Sequence, residues 1–295
     1  MTEGKRLPQG KVKKRSQLKE IWLRFRKNKL AMFGLILFLA LVLMALSAGF
    51  FLDYDTDVVK MNMKDRLLSP NAQHWFGTDH YGRDVLARIV WGSRISLVVG
   101  LYTVGIAMTV GGAIGAVSGY FGGTVDMVLM RIMDIFLALP GTILAVAIVG
   151  ALGPGLFNVL LAMSMCRIPQ FARIVRSSVI SLRGQEFVEA AKACGTKNSR
   201  IIMRHIMPNA IGPLVVQATL NMATTILGVA GLSFIGLGIE PPMPEWGSML
   251  SEARDQMWYH PYLMWIPGIF IMLAVLSLNL IGDGLRDALD PRMKN

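Results

Sequence analysis

Five stretches of this 295-residue chain contain no Asp, Glu, Lys or Arg: Leu30–Leu52, Ile95–Phe121, Ile135–Cys166, Asn209–Ile239 and Pro261–Gly282. Nothing else in the sequence constrains the fold as much. A backbone in hydrocarbon must satisfy its own hydrogen bonds, and a helix of about 20 apolar residues does so across a bilayer. The third run is too long for one crossing, and Gly150-Ala151-Leu152-Gly153-Pro154-Gly155 inside it reads as a turn. Splitting it there predicts an all-α, polytopic membrane protein with six transmembrane helices. The fourth helix is short before Arg167, Arg173 and Arg176; it is extended through Ile168–Ile174, with the arginines snorkelling or facing protein.

Charge sets the orientation. Of thirty Lys and Arg, twenty-three fall before Leu30, at Arg131, in Arg167–Arg204 or after Asp283, all on one side of a six-span chain. Lys60, Lys64, Arg66, Arg83, Arg88, Arg94 and Arg254 fall on the other. The positive-inside rule then puts both termini in the cytoplasm of a bacterial cell membrane. The chain divides into a basic cytoplasmic arm (1–29), a first span (30–52), an extracytoplasmic segment (53–94), a five-helix core (95–282) and a cytoplasmic tail (283–295). The net charge of +11 reports topology, not nucleic acid binding. Beside a span the partner for Lys11–Arg15 is anionic membrane lipid, at about 1 kcal/mol per charge. Residues Ser16–Lys27 read either as an amphipathic helix laying Ile21, Trp22 and Phe25 on the bilayer or as a simple charge cluster. Cys166 and Cys194 fall at or beyond the cytoplasmic end of a span, where a disulfide is not expected. The first run is too long, and too far from the start, to read as a cleaved signal peptide.

Arg183–Asn209 is the one long polar segment between apolar runs that looks folded. Helix formers fill Glu186–Cys194, Gly195 supplies a stop, Thr196–Ser199 offers N-cap residues, and a second helix should end before Pro208. Ala190, Ala191 and Ala193 leave a low surface beside Glu189 that another protein could approach. On pattern alone, two amphipathic helices lying on the bilayer explain the segment equally well.

Glu189-Ala190-Ala191, Gly195 and Pro208 resemble the EAA loop of ABC importer permeases, the cytoplasmic element that docks on ATPase subunits. Many members end this loop Ile-x-Leu-Pro; here His205-Ile206-Met207-Pro208-Asn209 is similar to the version of the peptide and nickel branch. Trp75-Phe76-Gly77-Thr78-Asp79, Gly82-Arg83-Asp84-Val85, Gly92–Leu97 and the terminal Gly282–Arg292 resemble that branch too. The resemblance implies a bundle like that of type I ABC importer permeases. It also implies three kinds of partner besides the lipid already read from charge: a homologous second permease, two ATPase subunits and an extracytoplasmic substrate-binding protein. Dipeptides, longer peptides, glutathione and nickel complexes are the cargoes this branch carries. The docking candidates are Glu186, Glu189, Ala190, Ala191, Gly195, Arg200, Arg204, His205 and Pro208.

Elsewhere the residues speak for themselves. Asp53, Asp55 and Asp57 alternate but lack the glycine and terminal Glu of a calcium loop. Thr78 or Asp79 can cap a helix on which Asp84 and Arg88 would pair at i, i+4. Gly111, Gly115 and Gly119 let a helix backbone approach its neighbour, within the chain or at a subunit contact. Gln217, Asn221 and Thr225 form a polar stripe that reads as pathway lining, or as interhelical hydrogen bonding. Trp246, Trp258, Tyr259, Tyr262 and Trp265 suit an aromatic belt.

No Gly-x-x-x-x-Gly-Lys-Ser/Thr, no Gly-x-Ser-x-Gly and no His-Glu-x-x-His occurs, and His74, His80, His205 and His260 have no ligand spacing. No catalysis, cofactor or metal is expected on this chain. ATP and Mg belong to the partner ATPase subunits. A membrane scaffold would leave the polar segment unexplained, and an intramembrane hydrolase would need paired ionisable groups inside the spans.

Overall fold

The computed structural model describes residues 17–289, and the regular elements among them are all helical. Helix α1 (Gln17–Lys27) gives way at Asn28, whose side-chain oxygen accepts from the Leu30 and Ala31 N–H groups at 3.1 and 3.2 Å and so starts α2 (Lys29–Phe51). The expectation that Phe25 lies on the bilayer with Trp22 is corrected. Phe25 is 3% exposed and packs with Ala31, Ile281 and Ala288, while Trp22 faces outward. Gly284 makes room for it: a Cβ there would stand 3.1 Å from the Phe25 ring.

Helix α3 (Val85–Phe121) starts at Asp84, which caps it by accepting from the Ala87 N–H at 2.9 Å. Its glycines lie against α6 (Leu156–Leu182). A Cβ at Gly111 would come within 2.5 Å of the Ile168 carbonyl oxygen, one at Gly115 would overlap that of Ala172, and one at Gly119 would lie 2.9 Å from that of Arg176. Both series climb by four residues, so α3 and α6 run parallel with backbones in contact. The glycine spacing therefore serves packing inside one chain.

Between them lie α4 (Gly123–Leu137) and α5 (Gly141–Leu152), bent by 84° at the Ala138-Leu139-Pro140 break. The break falls inside the expected third span, where Pro140 cannot donate a backbone hydrogen bond and Gly141 follows it. α4 carries the counter-charges of α6. Arg176 forks onto Asp126 at 2.5 and 2.6 Å, and Arg173 reaches Asp134 at 2.7 Å.

After α6 come α7 (Glu186–Ala193) and α8 (Asn198–Arg200), then a π-helical turn, Ile201–Ile206, that runs straight into α9 (Met207–Phe234). α10 (Trp246–Ala253) and α11 (Tyr262–Leu289) close the chain. Helices α3, α6, α9, α10 and α11 share the main core around Phe171, Ile226, Trp246 and Leu278. Among the described residues, four helices are long and apolar enough to cross a membrane: α2, α3, the continuous Asn198–Phe234 and α11. The bent α4–α5 pair makes a fifth. The remaining expected span, the fourth in chain order, corresponds to α6, which has the length but carries three arginines.

Candidate docking element and membrane cavity

The polar segment folds as a helix, a tight turn and a helix. Gly195 takes φ +73°, and the Gly195 and Thr196 N–H groups donate back to Lys192 and Ala191 at 2.9 and 3.1 Å, closing α7 with a glycine cap. Val188, Ile201 and Ile206 are buried and hold the element to the bundle. Tyr120 at the end of α3 donates to Asn198 at 2.8 Å and lies under the Lys192 ammonium, 5.6 Å from the ring centre. What remains outward is the candidate set: Glu186, Glu189, Ala190, Gly195, Arg200, Arg204 and Pro208 are exposed, Ala191 and His205 half-buried. A Cβ on Gly195 would meet nothing within 4 Å.

Two local expectations fail here. Lys197, with no side-chain cap, precedes the second helix, and that helix does not end before Pro208. The π-turn explains the second. Met207 donates to Ile202, five residues back, so the wider turn takes in a residue without an N–H, and Asn209 Nδ2 satisfies the His205 carbonyl at 2.7 Å.

On α9 the polar stripe divides. Asn221 and Thr225 are 2% and 0% exposed, and Asn221 Nδ2 donates to the Gln217 carbonyl at 3.0 Å. These two face the bundle interior because apolar neighbours Met222 and Ile226 bring that side of α9 onto α3 at Gly100. Gln217 is half-buried. The adjoining face opens instead on a cavity of about 580 Å³ between α5, α6 and α9, with Thr142, Arg167, Gln170, Thr224 and Gly231 on its walls.

The end of the bundle where α3 starts and α10 lies holds groups that local sequence reading misses. Arg83 and Arg88 are almost fully buried; both reach Asp79 Oδ2 and Glu252 Oε2 at 2.6 Å. Burial would raise the Asp79 carboxyl, yet Arg88 and Arg83 together hold it below the usual carboxylate range. Asp84 does not pair with Arg88, because it caps α3 and meets His74 Nδ1 at 2.7 Å; neither Thr78 nor Asp79 is the cap. Glu245, 1% exposed, caps α10 by accepting from the Gly247 and Ser248 N–H groups at 2.8 Å. Burial pushes its carboxyl up, against those hydrogen bonds. Trp246 is not in an aromatic belt. It is buried, its Nε1 donating to the Ile89 carbonyl at 3.1 Å, while Trp258, Tyr259 and Trp265 stay exposed. Asp53 caps a turn through the Asp55 and Thr56 N–H groups, as a solvated loop would. The cue for the buried cluster was Asp79 four residues before Arg83; Glu252 had none.

Comparison with known proteins agrees with this architecture. The family described as binding-protein-dependent transport system inner membrane component matches residues 111–295, and the N-terminal TM domain of oligopeptide transport permease C matches residues 16–70. The dipeptide transport system permease protein DppC of Alkalihalophilus pseudofirmus is 50% identical over 95% of this chain and 91% of its own. The glutathione transport system permease protein GsiD of Pectobacterium atrosepticum is 40% identical over 95% of this chain and 93% of its own. A chain of the inward-facing MetNI methionine ABC transporter superposes with TM-score 0.56 at 19% identity, over 69% of this chain and 97% of that one, which shows a shared fold. The chain belongs to the family of binding-protein-dependent transport system inner membrane components: it is a multi-pass ABC importer permease.

Proposed function

We propose that this permease carries short peptides inward, forming half of a membrane pathway with a homologous second permease. The observation that carries this is the 50% identity to a dipeptide permease along nearly the whole chain. Glutathione, the cargo named for relatives near 40% identity, is the second reading, and is itself a small peptide. The exposed Glu186–Pro208 surface docks on one of two ATPase subunits that hold ATP and Mg, and an extracytoplasmic binding protein delivers the cargo.

Six spans with both termini cytoplasmic fit the packing. Because α3 and α6 run parallel, the chain must return across the membrane between them, which makes bent α4–α5 one crossing and α6 the next. The carboxylates of Asp126 and Asp134 offset two of the α6 arginines that would otherwise oppose insertion. The pathway follows the α5–α6–α9 cavity, with Gln217 on its approach and Asn221 and Thr225 supporting the wall from behind. The complete complex, reconstituted in liposomes with its binding protein, should accumulate labelled dipeptide only with ATP. Accumulation of glutathione or a nickel complex but not dipeptide would overturn the peptide assignment.

A further inference from the structure

Arg167 stands out among the α6 arginines. Arg173 and Arg176 are each paired with an α4 carboxylate, but Arg167 has no carboxylate within 4 Å among the described residues, and its buried Nε has no hydrogen-bond partner. It sits eleven residues into α6, about 16 Å along the helix, near the middle of a hydrocarbon core of about 30 Å. An uncompensated guanidinium at that depth is expensive and, where found, marks a polar route or a ligand. Arg167 also lines the α5–α6–α9 cavity, whose volume of about 580 Å³ lies within the roughly 300–1,000 Å³ typical of small-molecule sites.

The cavity is otherwise mostly apolar, lined by Val146, Met163 and Leu227, with Thr142, Gln170, Thr224 and the Cys166 thiol, which donates to the Gly141 carbonyl, as its other side-chain polar groups. No acidic residue lines it, so its one charge is positive. The first turn of α5, whose cap residue Pro140 offers no side-chain acceptor, adds the positive end of a helix dipole to the same space. We infer that Arg167 receives the free C-terminal carboxylate of a peptide in transit, with Gln170 and Thr224 within the same cavity to bond its amide groups. A planar guanidinium matches a carboxylate with two parallel hydrogen bonds, and the apolar walls accept side chains of varied shape. No proton moves and no bond breaks; the carboxylate exchanges water for the guanidinium and leaves again when the cavity opens.

This inference rests on the peptide-import reading and is tested in the same reconstituted complex. Uptake of labelled dialanine is compared with that of dialanine amide, which lacks the carboxylate, for wild type, Arg167→Gln and Arg167→Lys. Because every variant works with the same binding protein, its preference cancels when the acid-to-amide uptake ratio of a variant is divided by that of wild type. The ratio should fall about tenfold or more in Arg167→Gln and recover only in part in Arg167→Lys, which restores the charge but not the two parallel hydrogen bonds, with the second permease and ATPase subunits co-purifying as in wild type. An unchanged ratio in Arg167→Gln, equal loss of both compounds, or loss of the partner subunits overturns the inference alone. A wild-type complex that moves neither compound overturns the peptide reading, and this inference with it.

Discussion

Arg88 in the first turn of α3 donates to Glu252 on α10 at 2.6 Å, joining positions 164 residues apart. Arg83 and Asp79 complete the cluster, and it ties the segment before α3 to the connection between α9 and α11. Removing one member leaves the others charged and buried, which costs about 3–5 kcal/mol. Glu252→Ala should therefore lower the unfolding midpoint of the purified protein well below that of wild type. The Asp79 carboxyl titrates below its ordinary value of 3.8, so its stabilisation is complete above pH 3.8 and is lost as pH falls through the lower folded value. Unfolding followed from pH 6 downward should show a loss below that point that is absent in Asp79→Asn.

Glu245 makes a contrasting case. Its two carboxylate oxygens accept separately from the Gly247 and Ser248 N–H groups, so Glu245→Gln, which keeps one acceptor oxygen of the two, should lower the unfolding midpoint less than Glu245→Ala does. Glu245→Ala leaves the Gly247 and Ser248 N–H groups buried without that acceptor, at a cost of about 1–3 kcal/mol. Equal midpoints for the two variants would contradict the capping role.

The α3–α6 contact leaves no space for a side chain at Gly115, where a Cβ would overlap backbone, whereas a Cβ at Gly105 meets nothing within 4 Å. Gly115→Leu should prevent accumulation of folded protein, since neither backbone can move without separating the two helices. Gly105→Leu should accumulate normally in membranes, and immunoblotting of both settles the comparison.

Orientation can be read from a native residue. Cys194 is exposed at the end of α7 and Cys166 is only partly so. An impermeant thiol reagent should leave Cys194 unlabelled in intact spheroplasts and label it in inverted vesicles, while Ser69→Cys combined with Cys194→Ser should show the reverse. Labelling of Cys194 from outside would invert the topology.

What the sequence made legible follows from where the physics is local. Lipid allows one solution for a long apolar run, so α2, α3, α9 and α11 could be seen directly, and the Gly111-Gly115-Gly119 spacing announced a close approach. The Pro140 break lay inside a run compatible with lipid throughout, so composition did not reveal where the chain turns. Pro208 looked like a stop because proline usually is one; the preceding π-turn, visible only in the backbone, lets the helix continue. Asn221 and Thr225 share a helix face in the sequence, but which face meets the cavity is decided by α3 packing on Met222 and Ile226. Arg88 and Glu252 meet only after α3 and α10 are brought together, and no local pattern encodes that.

The central claim is that motion from the ATPase subunits enters through the exposed turn at Gly195. A side chain there meets open space and strains only a left-handed cap, by about 1 kcal/mol, too little to unfold the bundle. The decisive measurement is co-purification of the ATPase subunits together with ATP-dependent uptake, both normalised to membrane abundance, for Gly195→Leu and Glu189→Lys. Both variants should insert at wild-type abundance yet lose most ATPase association or most uptake. Wild-type association and uptake in both would contradict the claim and leave Glu186–Pro208 as a surface helix pair.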